Sequence, residues 1–307
     1  MIALLAPGQG SQTPGMLSPW LELADSGDVR AQLASWSEIS GLDLVALGTT
    51  ATAEEITDTA VTQPLVVAAT LLAHGELAKR NNGALTSGDV VVAGHSVGEI
   101  AAYAIAGVIS PDDAVMLAAT RGREMAKACA LEPTGMAAVL GGDEAEVLTR
   151  LEQLDLTPAN RNAAGQIVAA GPLTALDKLA EDPPAKARVR KLATAGAFHT
   201  QYMAPALEAY AAAAAGVSTN EPTATLLSNR DGQPVTTAAA AMDQLVAQLT
   251  RPVRWDLCTE TLRARAVTAI VEFPPAGTLA GIAKRELRGT PTHAVKSPAD
   301  LDGLPEF

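Results

Sequence analysis

Cysteine is nearly absent from this chain: there are two in 307 residues, Cys129 and Cys258. That excludes a disulfide framework and leaves no spacing for a thiolate metal site. Both read as small apolar side chains of a reducing compartment. Aromatic residues are scarce too, at 3%, so the core must come from aliphatic side chains and close, alanine-rich helix contacts. Positive charge is outnumbered, and 22 Lys and Arg against 34 Asp and Glu leave a net charge of −12. Such a chain repels polyanions at long range, which argues against nucleic-acid binding. An acidic partner would need a local basic patch, for which Lys284, Arg285 and Arg288, or Lys186, Arg188, Arg190 and Lys191, are the candidates. Long hydrophobic runs are also missing. The longest, Leu65–Ala73, falls far below the ~18 residues that suggest a membrane span. Met1–Ala6 is apolar but lacks a positive flank and runs into Pro7-Gly8, so it reads as a first strand rather than a signal peptide. The expectation is a cytoplasmic protein with no membrane contact, and nothing demands more than a monomer.

What is present is globular: 48% hydrophobic residues and 18% charged, enough chain for one large domain carrying a smaller one. Short β-rich runs at Ile2–Ala6, Val90–Ala93, Ala224–Leu227 and Val267–Phe273 alternate with helical patterns. That order predicts an α/β fold with a central, mostly parallel sheet. Ser110-Pro111-Asp112-Asp113 supplies an N-cap, a first-turn proline and two carboxylates at a positive helix end, predicting a helix to about Ala130. A second region interrupts the pattern with a strand at Met136–Leu140, a helix at Asp143–Gln153, a strand at Gln166–Ala170, a helix at Leu173–Leu179 and a strand at Arg188–Leu192. This β-α-β-α-β order within roughly sixty residues fits a small inserted α+β subdomain, with limits near 131 and 194. The large domain would then comprise residues 1–130 and 195–307.

The segment that carries chemistry is Val90-Val91-Val92-Ala93-Gly94-His95-Ser96-Val97-Gly98-Glu99. An apolar strand enters Gly-x-Ser-x-Gly, and a helical pattern follows at once, as a nucleophile elbow requires. Glycines two residues either side remove the Cβ atoms that would collide where strand and helix meet. The backbone N–H of Val97, at the start of the helix, then points to where an oxyanion would form. With 25 glycines and 12 serines in 307 residues, chance alone seldom produces this pattern between a strand and a helix.

A serine hydroxyl needs a base, and four histidines compete: His74, His95, His199 and His293. His74 lies in an apolar helical stretch. His95 is adjacent to the serine, but neighbours on a tight turn point apart. His293 sits in a Pro-Thr-His segment near the end, and His199 in a loop after the strand at 188–192. Loop position favours His199 without deciding the matter. Arg121 falls in a helix, where an ordinary surface ion pair is the simplest reading.

Several pieces in fixed order carry a resemblance: Pro7-Gly8-Gln9-Gly10-Ser11-Gln12, Gly94-His95-Ser96-Val97-Gly98-Glu99, Arg121-Gly122, Asn160-Arg161-Asn162-Ala163-Ala164-Gly165-Gln166, Gly196-Ala197-Phe198-His199, Pro252-Val253-Arg254-Trp255 and Pro275-Ala276-Gly277-Thr278-Leu279. Along essentially its whole length the chain resembles malonyl-CoA:acyl-carrier-protein transacylases. The resemblance implies an α/β-hydrolase-like domain with a ferredoxin-like insertion and an active-site cleft between them. It implies Ser96 as the acylated nucleophile, His199 as base and then acid, and the backbone N–H groups of Gln9 and Val97 as the oxyanion hole. Arg121 would bind the malonyl carboxylate, and the backbone carbonyl of Gln248 would orient the histidine. Asn160 and Asn162 would lie toward the coenzyme A side, with Phe198 excluding a branched acyl chain. No metal or other cofactor is implied. The implied partners are malonyl-CoA and the phosphopantetheine arm of acyl carrier protein, in fatty acid synthesis. The elbow alone leaves open a serine esterase or thioesterase, and a catalytically inactive scaffold would keep the same fold.

Overall fold

The computed structural model describes residues 1–23, 27–81 and 90–305. Eleven strands among them form two sheets: β1 (Ile2–Ala6), β2 (Val90–Gly94), β3 (Thr134–Gly141), β4 (Thr157–Ala163), β5 (Gln166–Pro172), β6 (Ala187–Lys191), β7 (Thr225–Leu227), β8 (Pro234–Val235), β9 (Val253–Arg254), β10 (Ala269–Glu272) and β11 (Thr292–Ala294).

The first sheet has the order β11-β10-β1-β2-β7-β8. Every pairing in it is parallel except the terminal β7–β8 hairpin. Its two central strands, Ile-Ala-Leu-Leu-Ala and Val-Val-Val-Ala-Gly, are buried throughout. Parallel strands covered on both faces need such continuous apolar runs. Alternation divides them between two cores. Leu4, Ala6 and Val92 face the helices Thr59–Arg80, Gly98–Ile105 and Pro111–Cys129. Ala3, Leu5, Val91 and Ala93 face the helices Trp255–Ala264 and Thr278–Glu286. The helix after Ser110 starts as its cap signals require, with the Asp113 N–H bonded to the Ser110 hydroxyl at 3.0 Å.

The second sheet has the order β6-β3-β5-β4-β9. It contains two strands that the sequence reading omits, β4 and the two-residue β9. β4 carries Thr-Pro-Ala-Asn-Arg-Asn-Ala, and proline and asparagine are poor strand formers. Pairing to β5 on one side and β9 on the other imposes the conformation nonetheless. The expected β-α-β-α-β run is therefore β-α-β-β-α-β. Within it β5 alternates: Ile167 and Ala169 pack under the helices Glu144–Gln153 and Leu173–Glu181, while Val168 and Ala170 join the main core. The parallel β4–β9 pairing stitches the segment to the body, since β9 comes from far along the chain. Among the described residues, no helix is long and apolar enough to cross a membrane.

Candidate active site

Ser96 leaves β2 with φ +55°, a left-handed conformation that costs energy for any non-glycine residue. Its surroundings hold it there. The elbow is so tight that a Cβ on Gly94 would stand 2.0 Å from the carbonyl oxygen of Gly98, and one on Gly98 would stand 2.2 Å from that of Ala6. The Ser96 N–H donates to Asn229 Oδ1 at 2.8 Å. This geometry lifts the hydroxyl into a cleft of about 290 Å³ between the two sheets.

His199 also has positive φ, at +60°. Its Nε2 lies 2.7 Å from Ser96 Oγ, and its Nδ1 lies 2.8 Å from the carbonyl oxygen of Gln248. A carbonyl can only accept, so Nδ1 carries the proton and Nε2 is left to accept the serine proton. Burial, reinforced by the nearby Arg121 cation, pushes the imidazole down to about 3. The imidazole therefore stands neutral.

Arg121 is not on the surface. It is 1% exposed, at the middle of the helix Pro111–Cys129. Nη1 donates to Gln63 Oε1 at 2.8 Å and Nη2 to Gln248 Oε1 at 2.9 Å; Nη2 is also 3.4 Å from Ser96 Oγ. Its Nε is buried without a partner. Burial holds its pKa below the ordinary guanidinium value. The cation is thus held by neutral amide oxygens, one guanidinium nitrogen away from the serine, an arrangement suited to a carboxylate arriving with the substrate.

Gln9 and Val97 both line the cleft. The Gly8-Gln9-Gly10 loop lies against the elbow, where a Cβ on Gly8 would stand 2.8 Å from the His95 carbonyl oxygen. Ser11 Oγ and Thr278 Oγ1, 2.6 Å apart, tie the loop to the start of the helix Thr278–Glu286. Asn160, Asn162 and Phe198 line the same cleft, the asparagines from β4. His95 turns away from Ser96 to meet Asn162, Nε2 to Oδ1 at 2.8 Å, with its ring edge toward Trp255. The remaining histidines lie elsewhere. His74 packs its ring against Phe273, and His293 is in the edge strand β11. In the basic stretches, Lys191 pairs with Asp177 and Arg285 donates to Gln166.

Three polar residues of the site escape the sequence reading. Gln63 holds the arginine. Asn229, just beyond β7, holds the elbow. Glu99, 1% exposed, belongs to the quoted serine motif without a role there. The signal available for Asn229 is the polar pair Ser228-Asn229 after an apolar strand of a parallel sheet, where such folds place their sites.

A family model described as an acyl transferase domain matches residues 4–299. The malonyl CoA-acyl carrier protein transacylase of Mycobacterium tuberculosis is 77% identical over 304 residues, covering 99% of both chains. The crystal structure of MCAT from Mycobacterium tuberculosis superposes with a TM-score of 0.94 over 98% of each chain at 77% identity. A malonyl-transacylase solved in complex with its type II PKS acyl-carrier protein gives a TM-score of 0.90 at 29% identity, covering 98% of this chain and 97% of that one. With the family model spanning nearly all of it and a serine, a histidine and a buried arginine meeting in one cleft, this chain belongs to the acyl transferase family that includes the malonyl CoA-acyl carrier protein transacylases.

Proposed function

We propose that this enzyme transfers a malonyl group from malonyl-CoA to the phosphopantetheine thiol of acyl carrier protein through a malonyl-Ser96 intermediate, supplying fatty acid synthesis. The observation that carries the reading is the convergence at Ser96 Oγ of the neutral Nε2 of His199 and the guanidinium of Arg121, at 2.7 and 3.4 Å. His199 takes the serine proton as Oγ attacks the thioester carbonyl, and gives it to the departing thiolate as the C–S bond breaks. The carrier thiol then enters by the same steps in reverse: His199 takes its proton, the sulfur attacks the malonyl ester, and the proton returns to Ser96. The kinetics are ping-pong. The backbone N–H groups of Gln9 and Val97 serve each tetrahedral oxyanion, a comparable donor being worth about 2.7–4 kcal/mol. The carbonyl of Gln248 keeps the imidazole in the working tautomer. Arg121 takes the free malonyl carboxylate. Asn160 and Asn162 face the coenzyme A side, and Phe198 fills the space that an α-methyl branch would need.

The finer description of the fold belongs with this reading. Residues 131–194 form a ferredoxin-like subdomain within an α/β-hydrolase-like domain of residues 1–130 and 195–307. The β-α-β-β-α-β order, with strands arranged β6-β3-β5-β4, supports it.

The test is incubation with malonyl-CoA, with and without carrier protein bearing its pantetheine thiol. Malonyl-carrier should accumulate, with little free malonate. Rapid hydrolysis with no carrier product would favour a thioesterase, and no turnover at all would favour an inactive scaffold. Ser96→Ala should abolish transfer and leave the fold intact.

A further inference from the structure

Gln248 occupies a junction. Its backbone oxygen orients His199, and its side-chain oxygen receives Arg121. Its Nε2 donates to Glu99 Oε2 at 2.5 Å and lies 3.1 Å from the Ser96 carbonyl and 3.4 Å from Asn229 Oδ1. A side-chain amide can be turned over, exchanging oxygen and nitrogen with almost no change in shape. In the reversed orientation an NH₂ group would face the guanidinium, donor against donor. An ionised carboxylate only accepts hydrogen bonds, so Glu99 demands the NH₂ end of Gln248 and leaves Oε1 for Arg121. The other oxygen of Glu99 receives the backbone N–H of Asn229 at 2.7 Å. Asn229 in turn donates Nδ2 to the Gly94 carbonyl at 2.6 Å and accepts the Ser96 N–H through Oδ1.

We propose that Glu99 is the positioning residue of the malonyl site: through the Gln248 amide it aims an acceptor at Arg121, and through Asn229 it braces the Ser96 elbow. It touches neither the arginine nor the serine hydroxyl. The indirect arrangement has a physical reason. A carboxylate in direct contact with Arg121 would compete with the malonyl carboxylate for the same cation. The intervening amide offers an acceptor oxygen and leaves the positive charge for the substrate. A role confined to the helix end is the alternative, because Glu99 lies in the first turn of Gly98–Ile105, where a negative charge is favourable. The experiment has to separate the two.

The inference rests on the malonyl-transfer reading, and the test distinguishes the failure of each. Glu99→Gln preserves shape and keeps an oxygen for the Asn229 N–H, so the elbow stays braced, but its NH₂ faces Gln248 and turns that amide over. The KM for malonyl-CoA should rise at least about tenfold, and the malonyl-over-acetyl preference of Ser96 loading should fall by a similar factor, with acetyl loading changed less than about threefold. In an Arg121→Ala background the same substitution should leave the preference within about twofold, because the two effects run through one contact. Equal losses for both acyl groups, or an unchanged preference with a lowered Tm, would overturn the positioning role. A wild-type enzyme without malonyl preference would instead overturn the malonyl reading itself.

The native protein offers a second measurement that needs no variant. Burial pushes the Glu99 carboxyl up to about 7, with the Asn229 N–H, the Gln248 amide and then Arg121 pulling it back and Asp231 adding slightly to the rise. The other titratable groups facing it hold their charge state. Tyr103, Tyr210 and Cys258 stay protonated because burial raises them, and His199 stays neutral. Protonation turns the acceptor into a donor, so the malonyl preference should fall as pH drops from 8 to 6. A preference that stays constant over that range in the native enzyme and is also unchanged by Glu99→Gln overturns the proposal.

Discussion

Burial and the Arg121 cation push His199 down to about 3, so acidification to pH 5 does not take the proposed base out of its neutral form. Acylation of Ser96 by acetyl-CoA, which places no demand on Arg121, should therefore be flat between pH 8 and 5. A midpoint near the ordinary histidine value would contradict the tautomer and burial described for this residue. Arg121→Ala should lower malonyl transfer by roughly 10⁴-fold, since a site built around a polar group discriminates strongly for it. Acetyl transfer should fall far less, and steady-state kcat/KM for the two thioesters checks the split. The serine was legible because its glycine spacing has a steric cause inside the motif, a Cβ on Gly94 meeting the Gly98 carbonyl oxygen at 2.0 Å, and its supports have no such local cause. Gln63 stands 58 residues from Arg121, and Asn229 stands 133 residues from Ser96. Nothing around Gln63 marks it, and the polar position after β7 marks Asn229 as lying near a site without naming Ser96 as its partner.

The elbow and β4 mark the two ends of what local pattern can reveal. At the elbow, sterics fix both the glycine spacing and the approach of the helix to β1. A Cβ on Gly98 would stand 2.2 Å from the Ala6 oxygen and 2.5 Å from that of Pro7, both backbone atoms with no freedom to yield. Gly98→Ala should therefore push the helix off β1, cost at least about 1–3 kcal/mol as overpacking does, and displace Ser96. Denaturant unfolding and labelling of Ser96 by a serine-directed fluorophosphonate would read the two effects separately. Unchanged stability with normal labelling would mean that the strand and helix are not so closely apposed. In β4 the opposite holds: Thr-Pro-Ala-Asn-Arg-Asn-Ala has no strand-like pattern, and its conformation comes from β5 and β9. The asparagines that weaken its strand signal are the side chains that line the cleft.

Across the molecule, the two sheets keep separate cores on their outer helices and share one where they meet, and the cleft lies along that shared boundary. The alternation of apolar and turn segments made the parallel sheet and three strands of the second sheet, β3, β5 and β6, readable. The cleft's depth was not readable, because it depends on how the sheets approach. Stability should carry a signature of buried imidazoles. Burial pushes His74 down to about 4, and its Nε2 is shielded without a partner. Below the ordinary value of 6.5 the unfolded chain gains a proton there that the folded chain refuses, so this contribution is present above that pH and is lost as pH falls toward 4. His74→Phe should remove it, and the Tm of the variant relative to wild type should rise progressively from pH 7 to pH 5. A constant difference would mean that the imidazole titrates freely in the fold.

The claim on which the account turns is that malonyl resides on Ser96 between two thiols. Intact mass and peptide mapping of the enzyme mixed briefly with malonyl-CoA test it directly. One malonyl adduct, located on Ser96 and discharged on addition of the carrier thiol, is the expected result. Carrier malonylated while Ser96 stays unmodified, or an adduct located on another residue, would contradict it.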